Sequence, residues 1–294
     1  MKLARIRHAG RARAVVVEDD AYALLPEGFD DLTAVVAGGE EALAAARRAL
    51  RTAERVPADE SALLAPLTRF NRDVLCTGWN YLDHFYEGVG KREGQEVELP
   101  KRPTFFTKGP DTVIGPRDPI AFDPAVSGKW DYEAELALVI GKAGRSVPEA
   151  SALEHVWGYM LANDVSQRDL QRAHGGQWLK GKSIDGTMPI GPWLVTADEV
   201  DEQAVRLRCE VNGEVLQDAS TGQMAFPIPT LIAELSFGMT LRPGDVLLTG
   251  TPSGVGNARE PQRFLQAGDE VVVSGTGLGE LRNVVTLTDL HSPA

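Results

Sequence analysis

Asp131-Tyr132-Glu133-Ala134-Glu135-Leu136-Ala137-Leu138-Val139-Ile140-Gly141 reads as a strand that enters a core, with alternating acids followed by an unbroken apolar run. Side chains alternate across a strand, so Asp131, Glu133 and Glu135 project from one face at roughly 6–7 Å spacing. Unpaired carboxylates beside an apolar run cost on the order of several kcal/mol. A divalent cation would turn that repulsion into coordination. Asp164 follows a second apolar stretch, VWGYMLA (156–162), and can supply a third ligand from a neighbouring element. Oxygen ligands without His or Cys suit a hard ion, so Mg²⁺ or Mn²⁺ is expected and Ca²⁺ is admissible. The same spacing also fits a solvated strand face paired with Lys129 or nearby arginines, and alternation alone does not separate the two.

Outward from this strand, the chain from Val74 onward is dominated by short strand candidates separated by Gly and Pro: VLCTGW, PTFFTK, GPWLVT, AVRLRCEVNGEVLQD, DVLLTG, EVVVSG and VVTLTDL. Asn212-Gly213 is a type I′ hairpin signal between two of them. Helices are expected at Ala150–Val156 and Ile228–Phe237. Before Val74, LARIRH, RAVVVED and Ala21–Leu25 read as strands, and Glu40–Glu54 is rich in strong helix formers. Pro57 and Pro66 mark a linker. The expected architecture is α+β and β-rich: a small N-terminal α/β domain over 1–70 and a catalytic domain with a rolled mixed sheet over 71–294.

Composition bounds the function. Hydrophobic residues at 43% and charged residues at 24% are ordinary for a soluble globular chain. The net charge of −12 argues against a nucleic-acid partner, and an anionic substrate must be drawn in by local cations or a metal. Cys76 and Cys209 are far apart and in no CxxC spacing, which fits a reducing compartment without zinc or disulfides. The N-terminus has basic residues but no apolar stretch of a secretory signal, and no apolar run is long enough to span a bilayer. A cytoplasmic protein without membrane contact is expected.

Four further segments bear on function. In Gly78-Trp79-Asn80-Tyr81-Leu82-Asp83-His84-Phe85-Tyr86-Glu87, His84 and Glu87 are three apart on a helix-compatible turn, so Glu87 can hold His84 as a general base. A lone structural His is the commoner fate. The polar stretch 91–100 (KREGQEVELP) reads as a lid or an exposed connection. Residues 176–183 match GxxxxGK[ST], but polar residues precede them and Pro189 and Pro192 follow, so neither the buried strand nor the helix of a phosphate loop is expected. Lys182 keeps another meaning, because an ammonium beside a metal can neutralise a carboxylate or an enolate. Thr249-Gly250-Thr251-Pro252-Ser253-Gly254-Val255-Gly256 follows a strand and lets backbone N–H groups approach a carboxylate.

Taken in order, GWNYLDH, FFTKGP, DYEAELALVIG, NDVSQRDLQ, QWLKGKSIDGTMPIGPW and TGTPSGVG resemble the fumarylacetoacetate hydrolase family from about Leu75 to Val285. The resemblance implies a rolled-sheet catalytic domain, a homodimer, and Mg²⁺ or Mn²⁺ held by Glu133, Glu135 and Asp164. It implies His84 and Glu87 as a water-activating dyad, with Lys182 catalytic and with Arg168, Gln171 and Thr251 around a small anionic 2-oxo acid. The insert KREGQEVELP and the run FFTKGPD depart from the usual pattern where substrate choice is set. The leading expectation is hydrolysis of a C–C bond in a 2,4-dioxo acid of acylpyruvate, fumarylpyruvate or diketo sugar acid type. The alternative is decarboxylation or isomerisation of a related 2-oxo dicarboxylic acid such as oxaloacetate or a hydroxymuconate-type acid. Both pass through the same enolate.

Overall fold

The computed structural model describes residues 1–91 and 98–293. Six residues of the expected lid segment, 92–97, lie outside them. Why the run from Leu136 to Ile140 is apolar at every position is answered by its burial on both faces. Leu136, Leu138 and Ile140 belong to one core, and Ala137 and Val139 to another. The strand Ala134–Ile140 is therefore central, pairing antiparallel with Val156–Asn163 on one side and Val246–Leu248 on the other.

Among the described residues the sheet around it has twelve strands. From Ala134–Ile140 it runs through Val246–Leu248, Val74–Gly78 and Thr104–Lys108 to one edge. In the other direction it passes through Val156–Asn163 and Met188–Thr196 to Lys2–His8, Arg11–Val17, Ala21–Leu24 and Arg55–Pro57. The N-terminal strands thus continue the same sheet, with Leu3 opposite Leu194. The helix Gly39–Thr52 packs Ala42, Ala46 and Ala49 onto this unit, at the spacing of one helical face. Leu32–Ala37 precedes it, its first turn capped by the Asp31 carboxylate accepting the Thr33 N–H at 2.7 Å.

Among the described residues a second sheet of five strands contains the expected hairpin Arg206–Val211 and Glu214–Ser220, followed by Glu270–Gly275, Gly279–Leu287 and Ile120–Phe122. Asn212 and Gly213 take φ of 53° and 79°, as a type I′ turn requires. Leu207, Val211, Val273 and Leu281 of this sheet share a core with Leu136 and Leu138 of the first. The chain is sheet-rich with few helices, in agreement with the expected class.

One local expectation differs. Glu149–His155 forms a 3-10 helix rather than an α-helix. It is confined between Pro148 and the strand that starts at Val156, and such short confined runs favour i→i+3 bonds. Ile228–Ser236 is α-helical, as expected.

Candidate active site

The carboxylates meet where the antiparallel ladder is interrupted on both strands at once. Ala134 is opposite Asn163 in one ladder, and Asp131 is opposite Ser166 in a separate two-residue ladder with Trp130 opposite Gln167. Between these ladders lie Tyr132-Glu133 on one chain segment and Asp164-Val165 on the other. The Asp164 N–H still donates to the Glu133 carbonyl at 2.9 Å, so the segments stay adjacent while leaving the regular pleat. Glu133 and Asp164 are thereby turned toward Glu135. One oxygen of each of the three carboxylates lies within 4.8 Å of the others, and all three side chains are buried.

Their charge compensation is unequal. Lys182 Nζ donates to Glu133 Oε2 at 2.8 Å and to Asp164 Oδ2 at 2.7 Å. Lys108 Nζ stands 2.9 Å from Asp164 Oδ1, and Arg168 Nη1 is 2.7 Å from Glu133 Oε1. Burial alone would raise the Glu133 carboxyl, but Lys182 and Arg168 outweigh it and hold the group down at about 2. Glu135 goes the other way. Burial, then the like charges of Asp164 and Glu133, push it well above the usual carboxylate range. Its described hydrogen bond is from the Gly250 N–H, 2.6 Å from Oε2. Lys182 is raised: burial would lower it, but Asp164 and Glu133 prevail and keep the ammonium charged. Lys108 is lowered by burial, against the pull of Asp164.

A hard divalent cation fits this donor set. Three converging buried oxygens from separate places in the chain, one on a carboxylate that like charges disfavour as an anion, are what a dication relieves.

The other candidates line a hollow that Glu133 also borders. His84, Glu133, Arg168, Gln171, Lys182 and Thr251 border an inner chamber of about 30 Å³. An adjoining chamber of about 60 Å³ shares His84, Arg168 and Gln171 with it and adds Glu87. His84 Nδ1 and Glu87 Oε1 are 2.7 Å apart on the helix Leu82–Glu87, and the Gly254 N–H holds Glu87 Oε2 at 2.7 Å. Thr251 Oγ1 donates to the Ala134 carbonyl at 3.0 Å, and Gln171 Oε1 accepts from Arg168 Nη1 at 3.2 Å. The glycine-rich segment therefore does bring backbone N–H groups to carboxylates, though to those of the protein itself. A larger hollow of about 670 Å³ lies against the N-terminal helix and contains none of the candidates.

Residues 176–183 neither follow a strand nor open an α-helix. A 3-10 turn at Leu179–Gly181 delivers Lys182 to the carboxylates. Sequence reasoning missed Lys108, Trp79, Phe106 and Trp178. Trp178 packs edge-on against Trp79 and against Phe106, at centroid separations of 4.8 and 5.1 Å. Trp79 has φ of 54°, a strained conformation for a bulky residue that often marks functional sites. The only sequence signal for Trp79 was its place after a strand. Gly78 leaves room for the indole, since a Cβ there would meet Trp178 at 2.4 Å.

Comparison with known proteins supplies the family. The family model described as fumarylacetoacetate (FAA) hydrolase C-terminal matches residues 73–286. The chain belongs to the fumarylacetoacetate hydrolase family. A second model, Rv2993c-like N-terminal, matches residues 1–66. The mitochondrial oxaloacetate tautomerase fahd2 of Xenopus laevis is 45% identical over 84% of this chain and 76% of its own length. The fumarylacetoacetate hydrolase structure from Exiguobacterium antarcticum superposes with a TM-score of 0.84 at 40% identity, covering 98% of this chain and 100% of that one. Maleylpyruvate hydrolase from Sphingobium sp. SYK-6, solved with manganese(II) and pyruvate, gives 0.78 at 28% identity, over 98% of this chain and 100% of its own. This family of 2-oxo acid enzymes thus includes tautomerases as well as hydrolases. Hydrolysis, the leading sequence expectation, is not singled out, and relatives 42–45% identical to this chain that are named oxaloacetate tautomerases favour the isomerase alternative. Among the described residues no helix is long and apolar enough to cross a membrane.

Proposed function

We propose that this chain is a Mg²⁺- or Mn²⁺-dependent enzyme of small 2-oxo dicarboxylic acids that interconverts the enol and keto forms of oxaloacetate. The observation that carries the proposal is the buried triad of Glu133, Glu135 and Asp164, whose Glu133 borders a narrow hollow lined also by Arg168 and by the His84–Glu87 pair. The tautomerase names of relatives 42–45% identical to this chain support the choice of reaction.

In this proposal Glu133, Glu135 and Asp164 hold the cation. When bound, it supplies Lewis acidity to the oxygens of the 2-oxo acid. Lys182 has three N–H donors and two carboxylate acceptors, so the third N–H serves the C2 oxygen, where negative charge gathers in the enolate. Glu87 occupies His84 Nδ1, which leaves Nε2 as the exchanging atom. From the enol, His84 Nε2 takes the hydroxyl proton, the C2 carbonyl reforms, and C3 receives that proton from Nε2; the reverse run takes the C3 proton to Nε2 and returns it to the C2 oxygen. No water is consumed. Gln171 and Thr251 limit how the acid can lie. A homodimer is part of the proposal and is checked by sedimentation.

The experiment follows the ultraviolet absorbance of enol-oxaloacetate with Mg²⁺ or Mn²⁺, beside pyruvate release from oxaloacetate and from an acylpyruvate. Fast decay of the enol without pyruvate, slowed about a hundredfold or more by His84→Ala, is expected. Faster pyruvate release from the acylpyruvate, abolished by the same substitution, would instead establish hydrolysis.

A further inference from the structure

We propose that Asp131, which sequence alternation groups with the metal-ligand candidates, is instead a positioning residue that fixes Arg168 for the second carboxylate of the substrate. This rests on the 2-oxo dicarboxylate reading and adds to it the group that selects dicarboxylates.

Asp131 is fully buried and lies outside the converging triad. Its Oδ1 accepts the Gly256 N–H at 2.7 Å and the Tyr132 N–H at 3.0 Å. Its Oδ2 accepts Arg168 Nε at 2.8 Å and the Asn257 N–H at 3.0 Å. A carboxylate offers about four lone-pair positions, and all are engaged by N–H donors. Nothing is left for a cation.

What those four bonds accomplish is seen on Arg168. The guanidinium is planar, so fixing two of its nitrogens fixes the direction of the third. Nε is held by Asp131, and Nη1 by Glu133 and Gln171. Nη2 is buried and, among the described residues, has no hydrogen-bond partner. Arg168 is only 6% exposed yet borders both chambers of the hollow. An orphaned donor on a buried cation is costly, and a carboxylate entering the hollow would satisfy it. Asp131 itself cannot drift. A Cβ on Gly256 would meet the Arg263 carbonyl oxygen at 1.8 Å, so only glycine lets the backbone come this close to Asp131.

The test compares (S)-malate with (S)-lactate, which share a 2-hydroxy acid head but differ in the second carboxylate. Each is titrated calorimetrically into the Mn²⁺-loaded full chain. Wild type binds malate at least tenfold tighter than lactate. Asp131→Asn weakens malate at least tenfold and lactate less than threefold, and raises the KM of oxaloacetate more than it lowers kcat. Arg168→Lys keeps the charge but not the fork and shows the same selective loss. Adding Asp131→Asn to it then costs malate less than a further threefold, because Asp131 acts through Arg168. Equal binding of malate and lactate by wild type overturns the proposal without any variant having to fold. So does an equal loss of both ligands in Asp131→Asn, or additive losses in the double variant. Selective malate binding without any enol turnover would sink the proposed reaction and leave the role of Asp131 standing.

Discussion

Lys182→Met removes the cation that joins two of the carboxylates while roughly keeping the volume of the side chain. In the metal-free chain Glu133 and Asp164 each lose a hydrogen bond of 2.8 or 2.7 Å in a site that is almost wholly buried. Removing one partner from a buried ion pair costs about 3–5 kcal/mol, which corresponds to a fall in Tm of roughly 10 °C. The effect has a pH signature. Glu133 is held at about 2, below its unfolded value, so its contribution is present above the ordinary carboxylate range and is lost as pH falls through about 2. The gap between wild type and variant is therefore widest above pH ~5 and closes toward pH ~2. Mn²⁺ should restore much of the loss. It should also bind the variant at least tenfold tighter, since two unit charges about 4 Å apart interact by about 4 kcal/mol at an effective dielectric near 20 and a competing cation has gone. Activity moves the opposite way, falling about a hundredfold or more with the enolate's donor. Calorimetric melting with EDTA and with Mn²⁺, together with Mn²⁺ titration, reads all of this. A metal-free Tm within 1–2 °C of wild type, equivalent to roughly 0.5 kcal/mol, would refute the reasoning, as would Mn²⁺ binding that weakens.

Gly254→Ala places a Cβ 2.0 Å from the Leu216 carbonyl oxygen at a φ of +107°, so Tm should fall by roughly 5–10 °C. Because the Gly254 N–H holds Glu87, enol turnover should fall with it; a neutral substitution would show that this contact matters little. Near the C-terminus, Asp123 Oδ2 accepts from His291 and from the Leu290 N–H at 2.8 and 2.9 Å. The hydrogen bond and charge of Asp123 raise His291 above 6.5, while the His291 hydrogen bond helps hold Asp123 at about 2. The raised histidine contributes fully below its unfolded value and is lost as pH climbs past its folded one, and the depressed aspartate is lost as pH falls toward about 2. The protection factor of the Leu290 amide, with intrinsic exchange divided out, should thus be highest at mildly acidic pH and lower on either side, whereas one that does not change with pH would mean that the contact does not form.

How far the sequence could be read follows from how local each feature is. The strand at 134–140, the Asn212-Gly213 hairpin and the helix after Gly38-Gly39 are legible because periodicity and turn chemistry act over a few residues. The grouping of Glu133 and Glu135 was legible for the same reason. Asp131 was not, because its fate depends on the ladder break beside Tyr132 and on a loop more than a hundred residues away. Lys108 ends an aromatic strand and reads like a surface lysine. Only the fold reveals that it is buried against Asp164. Before Val156 the expected α-helix gave way to a 3-10 helix through confinement rather than propensity. Trp178 belongs to the hollow only because strand Val74–Gly78 presents a glycine to its ring.

Binding of Mn²⁺ to the chain, followed by electron paramagnetic resonance in wild type and in Glu135→Gln, bears most immediately on the buried carboxylates. One ion per chain is expected, with affinity reduced at least a hundredfold in the variant and enol turnover lost in parallel. Unaltered Mn²⁺ affinity in Glu135→Gln, or full turnover in metal-stripped wild type, would contradict a metal centre built on Glu133, Glu135 and Asp164.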